Sequence, residues 1–289
     1  MTSNSDALSG TPVASVTDIS GLRIVHRRHW GRWAAAVVIL VLLGLIVDAF
    51  AHGQIEWSYV GRFLLVPVIL SGIVNTVVMS VLAMAVGIAL GITVAIMRMS
   101  PNPVLRSVAV GYAWLFRGTP VILQLLLWFN LALVFPTIGI PGVWTARTVD
   151  VMTPFVAALL GLGLNQGAYT SEVIRAGLLS VDAGQYEAAK AIGMKRLLSL
   201  RRIILPQAMR VVIPPLGNEF IGMIKLTSLA SVIQYSEVLH NAENIYYANN
   251  RVMELLIVAG IWYLAVVSVL TPLQMLLERR FARGAAMVR

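Results

Sequence analysis

From Phe63 to Met97 the chain carries no charged residue at all. A run that long exceeds the roughly 20 apolar residues needed to cross a bilayer as a helix. Similar runs recur at Trp33–Phe50, where Asp48 is the single charge, and at Gly118–Ala146, Val151–Ser171 and Leu255–Leu277. A sixth, Val211–Ser236, holds Glu219 and Lys225. Six spans are expected, the second preceded by an interfacial lead-in over Phe63–Leu70 that Pro67 interrupts. Inside lipid every backbone N–H and C=O must be bonded within the protein, so the fold class is an all-α integral membrane bundle. Only 12% of the residues are charged and 58% are hydrophobic, against about 25% charged in soluble domains. No large aqueous domain fits in what remains.

The net charge of +9 would suggest nucleic acid in a soluble protein; in a membrane protein its meaning lies in its position along the chain. With the N-terminus inside, the inner segments collect four basic residues before Trp33, three over 98–117, seven over 175–210 and four after Glu278. The outer segments keep Arg62, Arg147 and Arg251, and Lys225 falls within a span. This asymmetry predicts both termini in the cytoplasm and makes nucleic acid an unsuitable partner. The layout expected is a disordered, basic tail over 1–33, an anchor over 34–50, a multi-span domain over 60–277 and a basic tail over 278–289. A competing reading of the first span is a signal peptide cleaved after Ala49-Phe50-Ala51. Zero cysteines exclude disulfides, iron–sulfur clusters and thiolate metal sites.

Ala83, Gly87 and Gly91 recur every fourth residue in the second span. Small residues at that spacing let two helix backbones approach closely, either within one subunit or across a dimer seam.

The one sizeable polar segment is Arg175–Arg210. An amphipathic helix fits Tyr186–Ile192, with Ala188, Ala189 and Ile192 as its apolar face and Gly193 as its C-terminal stop. A second short helix fits Lys195–Ile204, and Pro206 is expected to break the chain before the next span. Two short helices projecting from a membrane domain make a knob suited to a partner's cleft. Glu187-Ala188-Ala189, then Gly193, then Ile203-x-Leu205-Pro206 matches the EAA loop of bacterial ABC-importer permeases. Phe116-Arg117-Gly118-Thr119-Pro120, Ala168-Tyr169-Thr170-Ser171-Glu172, Asn218-Glu219-Phe220-Ile221 and Lys225-Leu226-Thr227-Ser228-Leu229 resemble the polar-amino-acid branch of that family. Leu226 stands where the branch usually carries an acidic or amide residue, and the first span adds to a five-span core.

The resemblance implies a multi-pass permease of the bacterial inner membrane. It implies Glu187, Ala188, Ala189, Gly193, Ile203, Leu205 and Pro206 as the loop that couples to a separate ATP-binding subunit. It further implies an extracytoplasmic solute-binding protein and a second permease, either a copy or a paralogue. ATP and magnesium would then be held by the partner, with no cofactor on this chain. The residues agree: a phosphate-cradling loop needs Gly-Lys followed by Ser or Thr, and Lys190, Lys195 and Lys225 follow Ala189, Met194 and Ile224. His26, His29, His52 and His240 lie outside the spans without metal-ligand spacing. A secondary transporter would call for repeated halves, and a membrane enzyme for clustered acidic or histidine residues; neither pattern is found.

Ionisable groups in a bilayer are functional candidates by default. Asn165, Tyr169 and Glu172, at i, i+4 and i+7, share one helical face able to hold a zwitterion. Alternatively Glu172 neutralises Arg175 one turn on. Lys225 is expected either to anchor a substrate carboxylate or to close an interhelical ion pair, with Glu172 one candidate partner. Glu219, six residues before Lys225, sits on a different face. Arg117 reads as an interfacial, structural residue at the start of the third span.

Overall fold

The computed structural model of the protein describes residues 30–140 and 142–282; the expected tail before residue 30, and the basic end with Arg283 and Arg289, lie outside the described residues. Helix α1 (Trp30–His52) is a separate unit. It is apolar on all sides, with mean hydropathy 2.7 in its most apolar stretch, and it continues unbroken through Ala49-Phe50-Ala51.

The second unit starts at Glu56 with α2 (Trp57–Phe63). Pro67 then opens α3 (Pro67–Arg98), because a first-turn proline gives up an N–H that would go unbonded there anyway. Asn102 caps α4 (Pro103–Gly118), its Oδ1 accepting from the N–H of Val104 at 2.9 Å. Beyond α5 (Val121–Phe129) a 3₁₀ turn over Leu131–Leu133 leads into a hairpin. Its strands, β1 (Thr137–Ile140) and β2 (Trp144–Arg147), are antiparallel, with Thr137 opposite Arg147 and Ile140 opposite Trp144. One turn, α6 (Thr148–Val151), precedes α7 (Pro154–Leu179). Then come α8 (Ala183–Ala191), α9 (Arg196–Ser199), a π turn over Leu200–Ile204, and α10 (Leu205–Leu226). A 3₁₀ segment, Thr227–Ile233, ends at Gln234 in the left-handed region, and α11 (Val238–Asn249) and α12 (Val252–Ala282) are the last described elements.

Four helical stretches are each long and apolar enough to cross a membrane: α1, α3, the run Arg196–Ile233, and α12. The pair α4 and α5, bent by 102° at their junction, reaches the same length and apolarity only when the two helices are taken together. Helix α7, 26 residues and so about 39 Å long, has the length to cross but is less apolar than these, because polar side chains line its inward faces.

The expected third span over Gly118–Ala146 is therefore corrected. Only α5 within it is helical beyond one turn, and the helix that leads into it starts at Pro103, fifteen positions earlier than expected. Thr119 and Pro120 are extended and break the helix. Further on, Gly139 and Gly142 take positive φ and turn the hairpin. Lack of charge marked apolarity there, not helicity. Arg117 consequently ends α4 instead of starting a span. Pro206 also fails to break the chain. The π turn immediately before it widens the backbone, with the N–H of Leu205 bonding to the carbonyl of Leu200. This makes room for a ring that would collide with a carbonyl in a regular α-helix.

The core lies where α3, α5, α7 and the 3₁₀ segment meet, around Met79, Ala83, Leu125, Leu162, Met223 and Ile233. Helices α3 and α7 touch along the small-residue stripe, so for Gly87 and Gly91 packing within one subunit is the reading that holds. A Cβ on Gly87 would stand 2.5 Å from Cγ of Gln166, and one on Gly91 would stand 2.7 Å from Cγ2 of Thr170. On the facing helix Gly163 and Gly167 accept Val86 and Leu90 in the same way. At the far ends of α2 and α12, Arg251 bridges Glu56 at 2.6 Å and lies 5.0 Å above the Tyr59 ring.

Gly87→Ala or Gly91→Ala should each cost about 1–3 kcal/mol by overpacking, read as a lower melting temperature in detergent. Gly111→Ala, where an added Cβ meets nothing within 4 Å, should leave the melting temperature unchanged or raise it.

Candidate functional site

Two regions concentrate the sequence's candidate residues. The first is the loop between α7 and α10. Helix α8 starts at Asp182, whose Oδ1 accepts from the N–H of Gly184 at 2.8 Å. It ends at Gly193, φ +72°. There the N–H of Gly193 bonds to the carbonyl of Lys190, and that of Met194 to the carbonyl of Ala189, both at 3.0 Å. This pair of bonds is a Schellman motif, which favours glycine for its left-handed residue. The loop's root is a small apolar core of Val181, Ile204 and Ala208, flanked by Leu178, Leu200 and Ile203. Two side-chain bonds fix α8 to that root: the Tyr186 hydroxyl donates to the carbonyl of Leu178 at 3.1 Å, and Gln207 donates to Gln185 Oε1 at 3.3 Å.

What the loop presents outward is Glu187, Ala188, Ala191, Ile192 and Leu197. Ile192 is 75% exposed and Leu197 76%, a high cost in water unless something covers them. Ala189, expected on that apolar face, is 1% exposed and turns inward. Ile203 serves the root, while Leu205 and Pro206 lie on the outer side of the first turn of α10.

The second region is a face of α7. Asn165 is buried, and its amide donates to the carbonyl of Phe116 at 2.7 Å. The Arg117 guanidinium lies 5.4 Å above the Tyr169 ring and bridges Glu172 at 3.0 Å. All three residues of the stripe thus meet the C-terminal turn of α4. The expected Glu172–Arg175 bridge is present at 3.0 Å, and Arg98 joins it from the end of α3. Three guanidinium groups from three helices converge on one carboxylate. That set corrects the candidate Glu172–Lys225 pair, since the carboxylate is already fully engaged. Lys225 is exposed and forms no ion pair with any described residue.

Glu219 on α10 accepts from Gln166 at 2.7 Å and from Thr170 at 3.0 Å. Both donors are neutral, so the charge is hydrogen-bonded but not neutralised, and it can hold an ammonium or guanidinium. Gln166, Thr170, Arg98 and Arg117 belong to the site and were missed as site residues. The signal for the first two was their i, i+4 spacing on the α7 turns that face Gly87 and Gly91. Further along α10 and α12, Gln274 donates to Asn218 at 2.7 Å and to Glu278 at 2.8 Å.

Glu172→Gln would leave three guanidinium groups sharing a neutral amide and should destabilise the protein by about 1–3 kcal/mol, seen by thermal melting in detergent. Lys225→Met, which removes no bond, should not shift the melting temperature.

The family model described as "Binding-protein-dependent transport system inner membrane component" matches residues 87–283. The arginine transport system permease protein ArgU of Corynebacterium glutamicum is 39% identical over 280 residues, 96% of this chain and 89% of its own. The L-cystine transport system permease protein TcyB of Bacillus subtilis is 40% identical over 76% of this chain and 89% of its own. Among solved structures, an amino acid ABC transporter crystallised with histidines is 35% identical and superposes with a TM-score of 0.65. That match covers 74% of this chain and 94% of the other. The MetNI methionine transporter, 16% identical with a TM-score of 0.59, shares the fold. The chain is a permease that belongs to the family of binding-protein-dependent transport system inner membrane components.

Proposed function

We propose that the chain is the membrane-spanning subunit of an ATP-driven importer of polar amino acids, moved by a separate ATPase that docks on α8 and α9. The observation that carries this reading is the loop itself. It is capped at both ends, bonded to its root, and exposes Ile192 and Leu197 where no part of the described chain covers them. A bilayer gate with no phosphate-binding sequence needs a motor elsewhere, and a rigid projection with an apolar tip is a suitable place to push. ATP and magnesium would then reside on that partner. The amino-acid branch is supported by relatives that carry arginine and L-cystine in their names. The distribution of basic residues supports an inner membrane location with the loop and both termini in the cytoplasm.

A second permease, copy or paralogue, is supported by the exposed polar groups of α10. Asn218 and Lys225 stand seven residues apart on one helical face, and neither is tolerable against lipid. A shared, wet pathway between two permeases gives them water and substrate instead. Tyr169 and Glu172 with Arg117, Glu219 with its two neutral donors, and Lys225 are the side chains proposed to line or shape that pathway, with Asn165 holding the α4 turn behind them. An extracytoplasmic binding protein would deliver the solute.

The test of coupling is uptake into vesicles together with co-purification of the ATPase. Glu187→Lys or Ile192→Glu, both on the exposed tip, should cut ATP-driven uptake at least about tenfold, equivalent to ~1.4 kcal/mol of coupling, without altering the melting temperature. Uptake by the chain alone in liposomes would overturn the reading. For the pathway, Lys225→Met should change the KM or rate of uptake; an unchanged value of both would remove Lys225 from it.

A further inference from the structure

At the root of the coupling loop, one feature of the second unit has a composition that neither the exposed tip of that loop nor the α7 face uses. The first turns of α10 and the last turn of α12 enclose an open groove of about 550 Å³. Three arginines stand at it: Arg201 from the π turn, Arg210 from α10 and Arg280 from α12. No acidic side chain lines it, and none of the three forms an ion pair with a described residue. Between the charges the lining is apolar. Leu205, Met209 and Ile213 are spaced at i, i+4 and i+8, a single stripe along α10 about 12 Å long at 1.5 Å per residue. Phe281 closes the other side. Leu205 and Met209 are each more than one-third exposed.

Positive charge without counter-charge, set along an apolar stripe on a spanning helix, has one complementary chemistry. It matches a molecule with an anionic head and a long hydrocarbon tail. We propose that this groove is a binding site for an anionic phospholipid of the leaflet on the coupling-loop side. Arg201, Arg210 and Arg280 would hold the headgroup phosphate, and Leu205, Met209 and Ile213 would take an acyl chain. Guanidinium forks suit phosphate oxygens in a way a point charge does not. Basic pockets between helices near the membrane surface are a recurring means of lipid recognition. A lipid held there would bridge the start of α10 to the end of α12 at the root of the coupling loop. The proposal rests on α10 and α12 being spans and is independent of which solute is carried.

The full chain is reconstituted into nanodiscs of phosphatidylcholine with a minor fraction of phosphatidylglycerol, and retained lipid is measured by native mass spectrometry. The wild type should retain phosphatidylglycerol in preference to phosphatidylcholine. Arg201→Gln, Arg210→Gln and Arg280→Gln should each lower that preference about fivefold, the equivalent of ~1 kcal/mol per cation near an anionic surface. The triple variant should show none. Met209→Trp, which fills the stripe but keeps the arginines, should also lose the retained lipid. Millimolar inorganic phosphate should not displace it, since a free anion lacks the tail. Size-exclusion profile and helical content establish that each variant is folded, and if the triple variant does not fold the three single variants decide the outcome. Undiminished preference in the arginine variants overturns the proposal, as does displacement by phosphate alone. Loss of self-association or of ATPase binding with lipid retention intact assigns the groove to a protein interface and overturns it equally. None of these readouts depends on uptake, so their failure is separable from failure of the transport reading.

Discussion

Lipid tails are as apolar as leucine, so nothing pushes two helices together in a bilayer the way water does in a soluble core. The cohesion between α3 and α7 has to come from dispersion at short range, and short range requires that side chains be absent. Gly87 and Gly91 on one helix, with Gly163 and Gly167 on the other, supply that absence reciprocally. Much of the site follows from this seam. Gln166 and Thr170 lie against the two α3 glycines, and from there they reach Glu219 on α10. A bulkier stripe would push α7 outward and leave that carboxylate unbonded at a depth where unbonded charge is costly.

The handling of charge in this bundle separates structure from function. Glu172 collects Arg98, Arg117 and Arg175, tying the ends of α3 and α4 to α7 through a single carboxylate. Arg251 gathers Glu56 and Glu254 and lies on Tyr59, tying α2 to the first turn of α12. Such groups are held in place by several partners. Glu219 with its neutral donors and Lys225 with no carboxylate are of another kind. Neither charge is met by an opposite one among the described residues.

How much of this could be read from the residues varies by region. The charge-free runs gave the spans wherever a run was helical throughout, as in α3 and α12. They misled over 118–146, where Thr119, Pro120 and the turn glycines override apolarity. The stop at Gly193 was legible because a Schellman motif has a residue signature. The inward turn of Ala189 was not, since a helix of small residues leaves its rotation to the packing of its root. Pro67 was expected to interrupt a lead-in and instead opens α3; Pro206 was expected to break the chain and does not, because a π turn leaves no mark in composition. The stripe Asn165–Tyr169–Glu172 was legible from spacing alone. Its partners were not, because Arg98 and Arg117 come from helices whose approach depends on the glycine seam. Helix α11 went unnoticed, being too short and polar to resemble a span.

The unbroken backbone past Pro206 has a mechanical consequence. From Arg196 to Ile233 the chain is one helical rod of 38 residues, about 57 Å at 1.5 Å per residue. A rod of that length works as a lever: a tilt of only ~5° at its root sweeps its far tip by about 5 Å, roughly one helical pitch. Pro214 and Pro215 interrupt the hydrogen-bond ladder partway along and are the natural fulcrum. Where along the rod a bend falls is therefore set by two prolines partway along it, and not by the turns at its root.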